Sequence, residues 1–210
     1  MWGLRFGFLR HSFAKIFLAL RASGGVGCGN GGNSCKLEIQ TLLTRLQFED
    51  WVAFPLAHVF AFFSNPENLP RIMPSATQTR IDELHLVAAP ASPDSIPSAR
   101  AAGVGTIIVT SFRIFPFLSL RAQWIARITE FEWNHHFADV QQKGPFRRWN
   151  HRHGFQAEMR SGVSGTVVGD VIEYEVGFGP VGALANALFI ERQMRQTFAQ
   201  RQQVLPQLLA

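Results

Sequence analysis

The sequence predicts an α+β fold: a strongly curved antiparallel sheet of six to seven strands wrapped around one long C-terminal helix. Three observations point to it. A first strand is followed at once by two short helices. A run of extended segments comes next, joined by connections too short for parallel crossovers. The chain then closes on a long segment with an apolar stripe at helical period.

The domain is expected to begin near Leu42, with residues 1–41 as a leader or a stretch without fixed structure. "TRLQFEDWVAFP" alternates as a first strand should. "PLAHVFAFFSNPENLP" reads as a helix, with Pro55 suited to its first turn and Val59, Phe60 and Phe63 on one stripe. Ser64, Asn65 and Pro66 end it and open a second short helix, which Pro74 stops. "TQTRIDELHLV" is a strand. Residues 88–103, rich in Pro, Ala and Ser, read as a surface loop, either a flexible lip over an opening or a stretch without fixed structure. Five extended segments follow: "GTIIVTSFRIF", "SLRAQWIARITEFEW", "HFADVQQKG", "RWNHRHGFQAEM" and "GTVVGDVIEYEV". Pro116, Asn134, Gly144-Pro145 and Ser161-Gly162 mark the turns between them. In the closing helix Ala187, Ile190, Met194 and Phe198 form the apolar face.

Composition allows one domain with a full core and a cavity: 47% of the 210 residues are hydrophobic, and 19 Phe and 5 Trp stand against a single Tyr. The net charge of +5 belongs to the leader, where Arg5, Arg10, Lys15, Arg21 and Lys36 face no acid. From Leu37 onward 15 basic residues balance 15 acidic ones, and no basic cluster or helix-turn-helix pattern suggests nucleic acid. No apolar run nears the length of a bilayer span. The leader admits three readings: a secretory signal, which Arg10 and Lys15 interrupt, an organellar transit peptide, or an extension upstream of the true start. A cytoplasmic location is expected, with export or organelle targeting left open by the leader. Its Phe and Leu among Arg and Lys also allow weak membrane-surface contact. Cys28 and Cys35 lie in the Gly-rich end of the leader and have no His in reach for a zinc site.

The most informative stretch is "GPFRRWNHRHGFQAE". From Arg148 to Arg160 the alternation puts Trp149, His151, His153, Phe155, Ala157 and Met159 on one face, and the polar residues on the other. Both histidines therefore point inward. Gly144, His151, His153, Glu158 and Gly165 come close to the spacing of a cupin metal motif. The leading glycine is off by one, no further His follows His153, and Glu158 falls on the opposite face. No metal and no other cofactor is expected on this ground.

Two inward histidines need hydrogen-bond partners. The last strand offers them if its more apolar face, with Val168, Asp170, Ile172, Tyr174 and Val176, turns inward. Asp170 and Tyr174 then neighbour His151 and His153, while Glu173 and Glu175 meet Arg148 and Arg152 outside. A one-residue slip would instead bury both glutamates against the histidines. Trp124 shares its face with Leu120, Ala122, Ala126 and Ile128, and the small alanines leave space beside the indole. The expected ligand wall is Trp124, Trp149, His151, His153, Phe155, Ile172, Tyr174, Met194 and Phe198. His151, His153, Tyr174 and Asp170 are the only candidates for catalysis, and no nucleophile–base pair commits them to it.

With these elements in place, "VFAFFSNPENLPRIMP", "WIARITEFEW", "QQKGPFRRWNHRHGF" and "ALANALFIERQMRQTFAQR" resemble the SRPBCC, or START-like, superfamily, over about residues 45–208. Within it the chain resembles the stand-alone bacterial proteins described as cyclase/dehydrase or coenzyme-Q-binding START domains. The resemblance implies a helix-grip fold with a hydrophobic cavity between sheet and helix. It implies a lipophilic ligand: a lipid, a quinone or a polyketide-like molecule. It does not imply one chemistry, because the superfamily holds carriers, cyclases and ring-hydroxylase domains. The iron ligands of the last group, two His and an Asp at helical spacing, have no counterpart here. Binding is therefore expected before catalysis. The alternative is a cyclase/dehydratase with a cavity histidine as general base.

Overall fold

The computed structural model describes residues 43–93, 100–113 and 120–210. The leader with Cys28 and Cys35, the middle of the 88–103 loop and the turn at Pro116 lie outside the described residues. The elements are β1 Thr44–Val52, α1 Leu56–Ser64, a 3-10 turn at Pro66–Asn68, α2 Leu69–Ile72, a second 3-10 turn at Ser75–Thr77, β2 Arg80–His85, β3 Ile107–Arg113, β4 Arg121–Glu132, β5 His136–Lys143, β6 Arg148–Arg160, β7 Val163–Glu175, α3 Gly179–Ala185, a π turn at Asn186–Ile190, and α4 Glu191–Leu209. The strands form one antiparallel sheet in the order β1-β7-β6-β5-β4-β3-β2. From β2 to β7 each strand pairs with the next in the chain; β1 alone is carried across to pair with β7.

Local chemistry explains the joints. β6 and β7 are linked by Ser161 and Gly162, both at positive φ (50° and 80°). That is the mirror-image two-residue turn whose twist suits a hairpin. Asn134, at φ 58°, turns β4 into β5. Pro55 precedes α1, and the Asn65 side chain accepts from Glu67 N at 3.1 Å to start the following turn. Register shifts in β4 against β5, at Ile125/Ala126 and Ile128/Glu130, bend the sheet as bulges do.

The inner face holds two packed groups. In the first, Phe60 meets Phe131, Phe137 and Phe155 edge-on, with Val59, Val168, Leu205 and Leu209 around them. In the second, Leu46, Trp149, Ile172, Tyr174 and Phe198 are buried, and Phe48, Trp124, Phe146, Ile190 and Met194 pack on them half-buried.

The apolar residues expected to wall a cavity pack on one another in these two groups. Two sequence expectations change here. The 88–103 loop is anchored at its base, where Ala88 pairs with Ala102 and Ala89, Ala101 and Ala102 are buried, while Ala88, Pro90, Ala91, Pro93 and Arg100 are exposed. Ala187 is exposed rather than on the apolar face. The cause is the π turn, which adds one residue and rotates what precedes α4 by about 100° relative to an unbroken α-helix. Ile190, Met194 and Phe198 do face the sheet, while Phe178 and Phe189 stand 88% and 69% exposed.

Candidate functional site

β7 turns the expected face inward: Val168, Ile172 and Tyr174 have no exposure, and Asp170 only 1%. Strand pairing sets His153 opposite Asp170, and His151 opposite Ile172 on one side and Asp139 on the other. Partners across a strand pair share a face. Asp139 of β5 is thereby brought to the two histidines.

The cluster is built around one carboxylate. Asp170 Oδ1 lies 2.9 Å from His151 Nε2 and 2.8 Å from His153 Nδ1. The first of these is a hydrogen bond; the second is close but poorly directed, and leaves His153 Nδ1 without a well-formed bond. Asp170 Oδ2 is ion-paired to Arg201 Nη2, which also donates to Asp50 Oδ2 at 2.9 Å. Arg201 arrives from α4, and its guanidinium sits 4.7 Å from the Phe198 ring centre and 5.4 Å from that of Phe63. On the far side of the histidines, Asp139 Oδ2 lies 3.7 Å from His151 Nδ1 and 3.9 Å from His153 Nε2.

These surroundings set protonation. Burial alone would raise the Asp170 carboxyl, but the Arg201 charge and the two imidazoles hold it well below the usual range. Burial would likewise discharge Arg201, and Asp170 and Asp50 keep it charged. Burial, followed by the neighbouring His151, pulls His153 down to about 4, so it is neutral at pH 7. Asp139 is raised, chiefly by burial, with His151 opposing. The Asp139 and His151 side chains keep 16% and 12% of their surface exposed, whereas that of Asp170 keeps none. The cluster therefore has a closed side and an accessible edge.

The other expected residues are spread along the same face. Trp149 packs edge-on against Trp124 at 4.7 Å and lies beside His151 at 5.9 Å. Phe155 is in the tight Phe60 group, stacked near Phe137. Met194 and Phe198 come from α4, and Phe198 also stacks on Phe48 at 4.1 Å. Tyr174 is not at the histidines. Its hydroxyl donates to Asn186 Oδ1 at 2.7 Å, and Asn186 in turn donates to Thr44 Oγ1 at 3.2 Å. The outer ion pairs also differ from those expected. Glu173 meets Arg45 of β1, Glu175 meets Arg147, and Arg152 meets Glu130 of β4. The reason is register: Arg45 pairs across from Glu173, Glu130 and Arg152 share a face on either side of Ala138, and Arg147 sits beside Glu175, which is itself buried.

The glycines of the near-cupin spacing have packing explanations. A Cβ on Gly165 would lie 2.5 Å from the Trp51 ring, and Gly144 sits under the Gln141 side chain that closes the turn to Phe146. Glu158 is outside, 2.6 Å from Arg160.

Asp139, Asp50 and Arg201 were not singled out from the sequence. A signal for each existed. Asp139 alternates with Phe137, and Asp50 with Leu46, Phe48 and Val52. Arg201 follows Phe198 by one helical turn. Each is a charge at a position whose period places it inside.

Two clefts flank α4. One, of about 340 Å³, is lined by Pro74, Ala76, Thr77, Arg113 and the glutamine side of the helix, Gln193, Gln196 and Gln200 with Thr197. The other, of about 260 Å³, is bordered by Phe48, Asp50, Arg195 and Phe198. No helix among the described residues is long and apolar enough to cross a membrane.

A curved antiparallel sheet closed over a long C-terminal helix, with two short helices after the first strand, is the helix-grip architecture of START-like domains. The chain belongs to the polyketide cyclase / dehydrase and lipid transport family, whose model matches residues 52–202. Solved structures agree on the fold. The protein TTHA0849 from Thermus thermophilus superposes with a TM-score of 0.56 at 16% identity, over 79% of this chain and 97% of that one. A START superfamily protein from Mycobacterium smegmatis gives 0.51 at 13% identity, over 79% and 96%. A norcoclaurine synthase point mutant from Thalictrum flavum, in complex with a transition-state analogue, gives 0.51 at 16%, over 80% and 96%. No curated protein matches the chain.

Proposed function

We propose that the chain binds a lipophilic small molecule between the sheet and the C-terminal helix, with the ligand's polar end at Asp139 and His151. One observation carries this reading. Trp124, Phe146, Ile190 and Met194 form a wall that is only half-buried, and Trp149 connects it to the accessible edge of the polar cluster. A greasy body against aromatic and aliphatic side chains, with a few polar groups fixing one end, is the usual logic of a small-molecule site. Membership in a family named for polyketide chemistry and lipid transport supports it. Lipids, quinones and polyketide-like molecules all fit this description. Because the wall residues pack on one another, binding requires α4 or the Trp124 side chain to yield. The test is extraction of the purified full-length chain with organic solvent, followed by mass spectrometry, and uptake from a panel of lipids and quinones. A stoichiometric apolar molecule, or saturable uptake weakened by Trp124→Ala, is expected. An empty extract with no uptake across the panel would sink the reading.

A second reading, cyclase/dehydratase chemistry, is favoured by one feature. Asp139, raised by burial, stands within 3.7–3.9 Å of nitrogens of two imidazoles, one of them held neutral. Such groups can exchange a proton with a bound carbonyl compound. A synthase among the similar structures lends the fold an enzymatic precedent. Asp170 is committed to Arg201 and Tyr174 to Asn186, so acid–base work would fall to Asp139 with His151 or His153.

A further inference from the structure

We propose that Asp139, His151 and His153 form a binding site for a divalent transition-metal ion. The proposal runs against the expectation, drawn from the failed cupin spacing, that the histidines hold no metal. That spacing sought the carboxylate on the same strand. The structure supplies it from the neighbouring strand β5, where no linear motif could show it.

The geometry is that of a facial ligand set with its outer support in place. Asp170 faces one nitrogen of each ring, His151 Nε2 at 2.9 Å and His153 Nδ1 at 2.8 Å. At His151 the carboxylate engages Nε2 and leaves the Nδ1 lone pair free, as outer-shell carboxylates do for metal-bound histidines, while His153 Nδ1 faces the same oxygen without a well-formed bond. Those other nitrogens, His151 Nδ1 and His153 Nε2, turn toward Asp139 Oδ2 at 3.7 and 3.9 Å. The three ligand atoms lie within 4.8 Å of one another. With metal–ligand bonds of about 2.1 Å, tetrahedral or octahedral ligands stand about 3.0–3.4 Å apart. Asp139 must come about 0.3–0.9 Å closer to the two ring nitrogens to close the set. Two imidazoles and one carboxylate suit Zn²⁺, Co²⁺, Fe²⁺ or Mn²⁺ rather than Ca²⁺ or Mg²⁺.

A further observation points to a cation. Arg201 reaches Asp50 and Asp170, while among the described residues Asp139 has only the two imidazoles as ionic neighbours and no Lys or Arg, so a cation beside it meets a carboxylate that no guanidinium holds. Three protein ligands leave at least one position open toward the accessible edge, where an oxygen of a bound small molecule can enter.

Among the described residues a second cluster, Glu132, His135 and His136, also has metal-like spacing, but Glu132 and His135 are exposed. It serves as the control. The experiment uses the full-length chain, stripped of metal, with His135→Ala, His136→Ala, Cys28→Ser and Cys35→Ser as background. Co²⁺ alone is the probe, read by visible absorption and equilibrium dialysis. The background is expected to bind one equivalent, with a spectrum free of thiolate charge transfer and a raised Tm. Asp139→Asn and His151→Gln, each checked by circular dichroism, are expected to weaken binding at least about 100-fold, because loss of an outer partner alone costs about 10–100-fold. Retained affinity in these variants, or loss of all binding in the background, would overturn the proposal. No apolar ligand is used, so the result stands apart from the extraction experiment.

Discussion

Among single residues, His153 bears most directly on stability in mild acid. Its folded value of about 4 lies below the ordinary 6.5. Between those values the unfolded chain binds a proton that the native chain does not, so stability falls as pH falls through this window. At the limit the loss is roughly 3 kcal/mol. Asp170, depressed in the fold, adds a loss with the same sign at lower pH: its contribution is complete above an unfolded value of about 3.9 and disappears as pH falls below it. Asp139, raised in the fold, works oppositely; its contribution is present in acid and lost as pH rises. Denaturant unfolding across pH 4 to 7 should therefore slope steeply in the native chain, and less steeply in His153→Gln. An unchanged slope in that variant would mean that His153 is not the group that stays neutral.

At the scale of elements, the π turn is fastened by a polar chain. Tyr174 of β7 donates to Asn186, and Asn186 donates to Thr44 of β1. Tyr174→Phe should cost about 1 kcal/mol, and Asn186→Ala should cost less in that background than alone, since both break the same contact. Additive losses in a double-mutant cycle would show that the two side chains do not act together. The same elements show what a sequence reveals. The inward face of β6 was legible from Trp149 to Phe155, where alternation holds, but not at Ala157 and Met159, which lie beyond the core and are exposed. The more apolar face of β7, with Val168, Ile172 and Tyr174, did turn inward, although a one-residue slip was open from the sequence. The Ser161-Gly162 turn was legible because its chemistry admits little else. The π turn was not: an extra residue in a helical turn leaves no mark in a pattern of period 3.6, and Ala187 was misplaced for that reason. The candidate site was half legible. His151, His153 and Asp170 follow from the strand pattern. Asp139, Asp50 and Arg201 become partners only when β5, β1 and α4 converge, and no spacing along the chain encodes that convergence.

In the whole molecule, packing is uneven along the C-terminal helix. Phe198, Arg201, Leu205 and Leu209 are buried, and Arg201 is held by Asp50 and Asp170 from two strands. The segment before them, α3 and the π turn, buries only Gly182. Stability is thus concentrated in residues 198–209. Amide hydrogen exchange should be slowest there and faster across 179–194, and equal protection along the whole helix would contradict this. The placement of Arg201 has a consequence for timing. A helix riveted at its far end and loosely seated at its near end should yield first at its near end, beside Ile190 and Met194, where the proposed ligand would sit. The speed with which a guest enters or leaves should then track the loosening of α3 and the π turn, while how tightly Arg201 grips decides only that the frame stays standing.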